Sequence, residues 1–279
     1  MSLPELKTTS YQFLREFIAD QSGIELGPDR QYLVESRLEP ILQDLGCPSL
    51  ADLCRAIEGE RVLANSPRPI SRKIIHALST HETSFFRDPD FFRVLEQTIL
   101  PNLLSTNCTG RLRIWSAAAS SGQEAYSIAI LAAETGIQPQ PLIIATDISA
   151  IVLEIAAEAV FSDYELLRGF EDSVLRKKYL LPRKGGAQLI PQIRQSIEFH
   201  CCDLRDTNRS FAPLDLILCR NVLIYFDEPT RSRVLQHLLT QLRPGGILVL
   251  GAAEAIFNDF DALTRISTDS FTYYQKVIS

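Results

Sequence analysis

The stretch Arg111–Ser127, RLRIWSAAASSGQEAYS, decides how the rest of the chain is read. It opens as a short apolar strand with Leu112, Ile114 and Trp115, passes through small residues from Ala117 to Gly122, and enters an apolar helix. A strand, a tight turn of tiny side chains and a helix N-terminus let a ligand lie against bare backbone. The turn lacks the full G-x-G-x-x-G spacing, which lowers a dinucleotide reading. Alone it does not choose between a dehydrogenase and a transferase.

Downstream of this turn, apolar runs and helical patterns alternate. They predict strands at 111–117, 141–147, 197–202, 214–220 and 246–252, with helices at about 123–135, 149–160 and 229–243. That alternation implies an α/β fold, a parallel sheet with helices on both faces. The tail breaks the pattern: Leu263–Thr268 and Phe271–Val277 are separated only by Asp269-Ser270 and read as a closing hairpin. A mostly parallel Rossmann-like sheet ending in an antiparallel C-terminal hairpin is the architecture of class I methyltransferases rather than dehydrogenases. Residues 161–196 fit no βαβ unit. A helix between Phe170 and Tyr179 and a turn at Arg183-Lys184-Gly185-Gly186 suggest a short inserted β subdomain at about 165–196.

Upstream, the pattern is helical only. Tyr11, Phe13, Leu14, Phe17 and Ile18 form one apolar stripe, stopped by Gly23. A second helix begins near Pro28-Asp29 and carries Tyr32, Leu33, Leu38, Ile41, Leu42 and Leu45 before Gly46, with Pro40 expected to kink or divide it. Ser49 is placed to cap a third helix. Pro67 and Pro69 break the chain before a fourth, which carries Ile70, Ile74, Ile75 and Leu78. Residues 1–78 therefore read as a small all-α recognition domain and 79–279 as the ligand-binding domain. At the seam, Asp88-Pro89 is a strong helix start, with Asp at the N-cap. The polar cluster His81, Glu82, Thr83 and Arg87 sits just before it.

The composition, 46% hydrophobic and 22% charged over 279 residues, is that of a globular protein with a sizeable core. A formal net charge of -6 gives no electrostatic support to nucleic-acid binding. No apolar run approaches the roughly 20 residues that span a bilayer, and the N-terminus lacks the core of a secretory signal. Membrane insertion is not expected, and a cytoplasmic monomer is. The six cysteines and four histidines make no zinc-ligand spacing, so no metal is expected and the thiols read as reduced and mostly buried.

In an open α/β sheet, ligands sit beyond the carboxyl ends of the strands at the switch in strand order. Four stretches should converge there. The first is Ala117–Glu124, which includes Ala118. The second is Asp147 in LIIATDIS, which suits both hydroxyls of a ribose, since Ser149 can cap the following helix in its place. The third is Cys202-Asp203-Leu204, where Asp203 is either a bland strand-end aspartate or an acceptor for an adenine amino group. The fourth is Arg220-Asn221-Val222-Leu223-Ile224-Tyr225-Phe226, whose polar residues and tyrosine would line a reaction centre.

THETSFFRD, RIWSAAASSGQEAYSIAI, ATDIS, CRNVLIYFD and LRPGGILVLGAAE follow one another in an order and spacing that resemble the chemotaxis receptor methyltransferase (CheR) family. The resemblance covers nearly the whole chain. It implies an enzyme, a protein-glutamate O-methyltransferase, with S-adenosyl-L-methionine as cofactor and S-adenosyl-L-homocysteine as product. The partner it implies is the cytoplasmic domain of a chemoreceptor or a related signalling protein. It also implies that Arg87 and Glu124 hold the methionine carboxylate and amino group, with His81 and Thr83 at the same end. Asp147 would bind the ribose, Asp203 and Leu204 would meet the adenine, and Asn221, Val222 and Tyr225 would face the sulfonium and acceptor. Arg87 and Tyr225 would orient the acceptor. The chain departs from the family pattern at His81, Asp203, Gln123, Ala125 and Ala253. On the second helix, Arg30 and Arg37 are either receptor contacts or a solvated face, with Glu39, Pro40 and Asp44 nearby.

Overall fold

The computed structural model describes residues 3–62, 69–170, 173–254 and 261–278. Helices α1 (Leu3–Ser22), α2 (Gln31–Leu45), α3 (Leu50–Val62) and α4 (Pro69–Leu78) pack around their own core. Leu14, Phe17, Ile18, Val34, Leu38, Leu53, Ile57 and Ile74 fill it. Gly23 and Gly46, both at positive φ, end the first two helices as expected, and Ser49 Oγ accepts from Asp52 N–H to cap α3. Pro40 does not divide α2, which runs unbroken through it. Ser36 and Pro40 both face solvent, so water can take the carbonyl that the missing N–H leaves free. The expected break at Pro67 lies outside the described residues.

From Ser79 the chain crosses to α5 (Pro89–Val94), which runs through a π turn, Leu95–Ile99, into α6 (Leu100–Thr106). Asp88 precedes α5 as read, but it does not cap through its side chain. Its φ of 62° turns the carboxylate away from the helix and onto Arg220.

The second unit follows as β1 (Arg113–Ala117), α7 (Gln123–Glu134), β2 (Leu142–Asp147), α8 (Ala150–Glu158) and β3 (Val160–Ser162). Next come α9 (Asp163–Leu167), α10 (Ser173–Tyr179), β4 (Leu180–Arg183), β5 (Gly186–Leu189) and α11 (Pro191–Arg194). β6 (Ile197–Cys201), β7 (Leu214–Cys219), α12 (Glu228–Gln241), β8 (Leu242–Leu250), β9 (Leu263–Ser267) and β10 (Thr272–Lys276) complete it. The main sheet has the order β6-β2-β1-β7-β8-β10-β9. Five strands are parallel, and β10 and β9 close the sheet antiparallel. β8 begins at Leu242, four residues before the predicted strand. The insertion is a three-stranded antiparallel sheet, β3-β5-β4, with Lys184-Gly185 as the predicted turn. Its first strand, Val160–Ser162, begins at the last residue of the predicted helix 149–160, because α8 ends at Ala159 in a left-handed cap.

Strand alternation divides the core in two. Ile114, Leu216, Leu218, Ile247 and Val249 face α7 on one side of the sheet, while Trp115, Ile217, Leu248 and Leu250 face α12 on the other. Both faces are covered, so the central strands read as continuous apolar runs. The chain moves outward from β1 to β2 and β6, then returns to β7 on the other side of β1. That reversal opens a crevice between the carboxyl ends of β1 and β7.

Candidate active site

A cleft open to solvent occupies this crevice. Ala118, Ala119 and Ser120 come from the turn after β1, Asp147 and Ile148 from the end of β2, and Asp203 and Leu204 from beyond β6. Arg220, Asn221, Val222, Tyr225 and Phe226 follow β7, and His81, Glu82, Thr83 and Arg87 come from the seam. All ten residues expected to hold a cofactor, together with Tyr225, line this single cleft. Arg30 and Arg37 do not. Arg30 is exposed in the 3₁₀ turn before α2, and Arg37 Nη1 donates to the carbonyls of Leu78 (3.1 Å) and Ser79 (3.2 Å) at the end of α4.

The cleft is built from strained backbone. Six non-glycine described residues have positive φ, and five of them, Phe86, Asp88, Ala118, Ser120 and Asn221, line the cleft or flank Arg87. Each such conformation costs on the order of 1–3 kcal/mol and persists only where its surroundings over-determine it. Asp147 supplies that restraint for the first turn. Its Oδ2 accepts from Ser120 N–H (2.9 Å) and its Oδ1 from Ser149 N–H (3.0 Å). Ser149 Oγ caps α8 through Val152 N–H, as the sequence suggested. Burial pushes the Asp147 carboxyl above its ordinary value, against the pull of Ser149 and Ser120 N–H and of His81. Gly122 is needed for φ +90° and because a Cβ there would press on Tyr126 and Ala156. Its role is packing, not ligand approach.

Glu124, at the start of α7, accepts from Ser116 Oγ (2.8 Å) and from Arg220 Nη1 (2.9 Å). Arg220, expected only as one of the polar residues at the end of β7, turns out to be the buried anchor of this wall. Its side chain is only 2% exposed, its Nη2 reaches Asp88, and its guanidinium lies 4.5 Å over the ring of Phe91. Its buried Nε has no partner among the described residues. Arg87 donates from Nη1 to Glu82 O (3.1 Å), and Glu82 pairs with Arg168 of the insertion.

The helical unit also enters the site. Ser22 and Ile24 line the cleft, and Glu25 N–H donates to Tyr225 O (3.2 Å). Arg205 donates to the carbonyls of Ala19 (3.1 Å) and Asp20 (2.9 Å) while gripping both oxygens of Asp203. His76 of α4 meets Ser149 Oγ through Nδ1 (2.9 Å) and stacks on His81 at 4.7 Å. No sequence signal marks these contacts, because they join segments with separate local patterns. All six cysteines are free thiols, and burial pushes the Cys202 thiol up to about 11.

The lining combines a guanidinium with carboxylates at one end, a buried carboxylate in the middle, and apolar Ile148 and Leu204 at the other. This donor set suits a ligand that joins an amino-acid zwitterion to a hydroxylated sugar and a flat base. With this sheet order and a cleft at the strand-order switch, the fold and site define a class I methyltransferase that uses S-adenosylmethionine. The family model described as CheR methyltransferase, SAM binding domain, matches residues 81–272, and that described as CheR methyltransferase, all-alpha domain, matches residues 9–65. The chain belongs to the CheR methyltransferase family. It is 36% identical over 258 residues to chemotaxis protein methyltransferase 1 of Pseudomonas aeruginosa, covering 89% of this chain and 90% of the relative. It is also 36% identical over 261 residues to the chemotaxis protein methyltransferase of Vibrio parahaemolyticus, covering 92% of each. Among solved structures, the N-methyltransferase NodS from Bradyrhizobium japonicum with S-adenosyl-L-homocysteine aligns at 16% identity and a TM-score of 0.37, over 68% of this chain and 88% of its own. No helix among the described residues is long and apolar enough to cross a membrane.

Proposed function

We propose that this methyltransferase acts on glutamate side chains in the cytoplasmic domain of a chemoreceptor or a related signalling protein. The observation that carries this reading is the presence of Arg87 and Tyr225 in the same cleft wall as Glu124, Asp147 and Asn221. The names of the curated relatives support it. Residues 1–78 act as the recognition domain and 79–279 as the catalytic domain, in the cytoplasm, with Arg30 and Arg37 on the side that meets the receptor.

Bound S-adenosylmethionine supplies a methyl group activated on a sulfonium. Arg87 and Glu124 grip its amino-acid end, beside His81 and Thr83. Asp147 accepts from the ribose hydroxyls with lone pairs left over from Ser120 and Ser149, and desolvation makes such an acceptor demanding. Asp203 and Leu204 bound the adenine, and the turn that carries Ala118 walls the methionine part. A glutamate carboxylate is already ionised at neutral pH, so the chain needs no general base. Arg87 and Tyr225 need only hold the acceptor in line, while Val222 and Phe226 exclude water from a step that joins an anion to a cation. Labelled methyl transfer to receptor cytoplasmic fragments tests the reading. Base-labile label on glutamate is expected, and label on any other group overturns it.

A further inference from the structure

Glu254 lies outside the cleft wall, in the turn after β8, and is only 6% exposed. Each carboxylate oxygen accepts two backbone N–H groups. Oε1 takes Val222 (2.7 Å) and Leu223 (2.7 Å). Oε2 takes Asn221 (2.6 Å) and Gly251 (2.8 Å). Its own N–H donates back to Gly251 O at 2.9 Å. Four donors converge on an acceptor-only group, and hydrogen bonds to an ionised acceptor are roughly twice as strong as neutral ones. The segment they hold includes Asn221 at φ +61°, a conformation that needs such restraint. Gly251 has a matching requirement, because a Cβ there would fall 2.5 Å from Glu254 Oε2 and 2.9 Å from Asn221 N.

We propose that Glu254 is a positioning residue for methyl transfer. Its carboxylate fixes the backbone of Asn221–Leu223 and so sets Asn221 and Val222 against the cofactor, with Tyr225 one 3₁₀ turn further on. Glu254→Gln is then not conservative. An amide keeps one oxygen, and its NH₂ must face two N–H groups that need an acceptor.

The test uses the full chain and S-adenosylhomocysteine, so its outcome does not depend on which acceptor is methylated. Glu254→Gln should weaken binding at least tenfold by calorimetry and move the Asn221, Val222 and Leu223 amide proton resonances upfield. Gly251→Ala keeps the charge but displaces the carboxylate, and should weaken binding in the same direction. Asp215 provides the structural comparison. It is equally buried, accepts from Arg113 N–H (2.8 Å) and Arg243 Nε (2.6 Å), and sits at the opposite end of β7. Asp215→Asn should lower the unfolding temperature yet keep the dissociation constant within twofold. Wild-type affinity in either folded Glu254 or Gly251 variant, or lost affinity with unmoved amides, overturns the assignment.

Discussion

Arg220 and Glu124 meet 2.9 Å apart in the wall of the cleft, Nη1 donating to Oε2, and this contact joins the end of β7 to the start of α7 across the strand-order switch. The pair cannot be judged by its attraction alone, since a buried ion pair loses hydration on both sides. What Arg220 adds is a fork. One arm holds Glu124, the other holds Asp88 and the Arg87 carbonyl, and the plane covers Phe91. Arg87 is thereby tied to the same support as the acid opposite it.

Removing that support should be costly. Arg220→Ala leaves the mostly buried Glu124 without its cation, and we expect a loss of about 2–3 kcal/mol in denaturant unfolding, less than for a fully buried pair because the cleft admits water to Glu124. Asp88 adds little, being half exposed and screened by water. Arg220→Lys should recover only part, because one ammonium cannot reproduce the fork or stack flat on Phe91. Unchanged stability in the alanine variant would reject the bridge.

Arg87 and Asp147 should separate in their effects. Arg87→Ala should reduce methyl transfer more than 100-fold and also weaken S-adenosylhomocysteine binding, but less than loss of the proposed ribose contact of Asp147 does. Asp147→Ala removes the proposed ribose contact and also frees Ser120 and Ser149 N–H. We expect it to weaken that affinity more than tenfold. Equal effects of the two substitutions on binding would contradict this division of labour, and calorimetry beside a transfer assay decides it.

The parallel sheet was legible because residue pairs such as Ile114-Trp115 and Leu216-Ile217 must both be apolar when helices cover both faces. The cleft was legible because its residues sit at strand ends, where the fold rule places ligands. The clamp of Glu254 was not, since its partners are backbone N–H groups, three of them more than thirty residues earlier, which carry no side-chain signature. Asp88-Pro89 marked the helix start correctly, but not where the Asp88 side chain goes. The dipeptide suits an N-cap, but the buried guanidinium of Arg220, distant in sequence, binds the carboxylate more strongly than a helix end does. The tie of Arg205 to Ala19 and Asp20 was also unreadable, because helix-end carbonyls have no residue identity.

The join between seam and insertion rests on one glycine. Gly169 has φ +134°, and a Cβ there would lie 1.9 Å from the backbone oxygen of Phe85. The Phe85 ring meets Phe161 at 4.8 Å and Phe170 at 5.0 Å, both edge-on, so the main chain has little room to retreat. Gly169→Ala should cost on the order of 4 kcal/mol. Gly185, at φ +77° with nothing within 4 Å, supplies the comparison. Its alanine variant should lose only the left-handed conformational term, about 1 kcal/mol. Similar unfolding midpoints for the two variants would show that the Phe85 contact does not limit this join.

Acidification should loosen the seam between the helical unit and the cleft. Burial, and then the neighbouring His81, hold the His76 imidazole below its ordinary value of 6.5. As pH falls through that value, the unfolded chain takes up the proton before the folded one does, so stability declines. Burial depresses His237 in the same direction, so the chain carries two such contributions. Asp147 works oppositely, because its raised carboxyl value makes the folded state the better proton acceptor as pH rises from 3.8. Its stabilisation is complete only in acid and declines as pH climbs above that ordinary value. The two histidines should therefore lower the unfolding temperature as pH falls below 6.5, with Asp147 opposing them. His76→Gln, which keeps a polar partner for Ser149 but does not titrate, should flatten part of that slope and leave the His237 share. An identical slope in the variant would exclude His76 as a source of the decline, and a thermal melt series below pH 6.5 measures it directly.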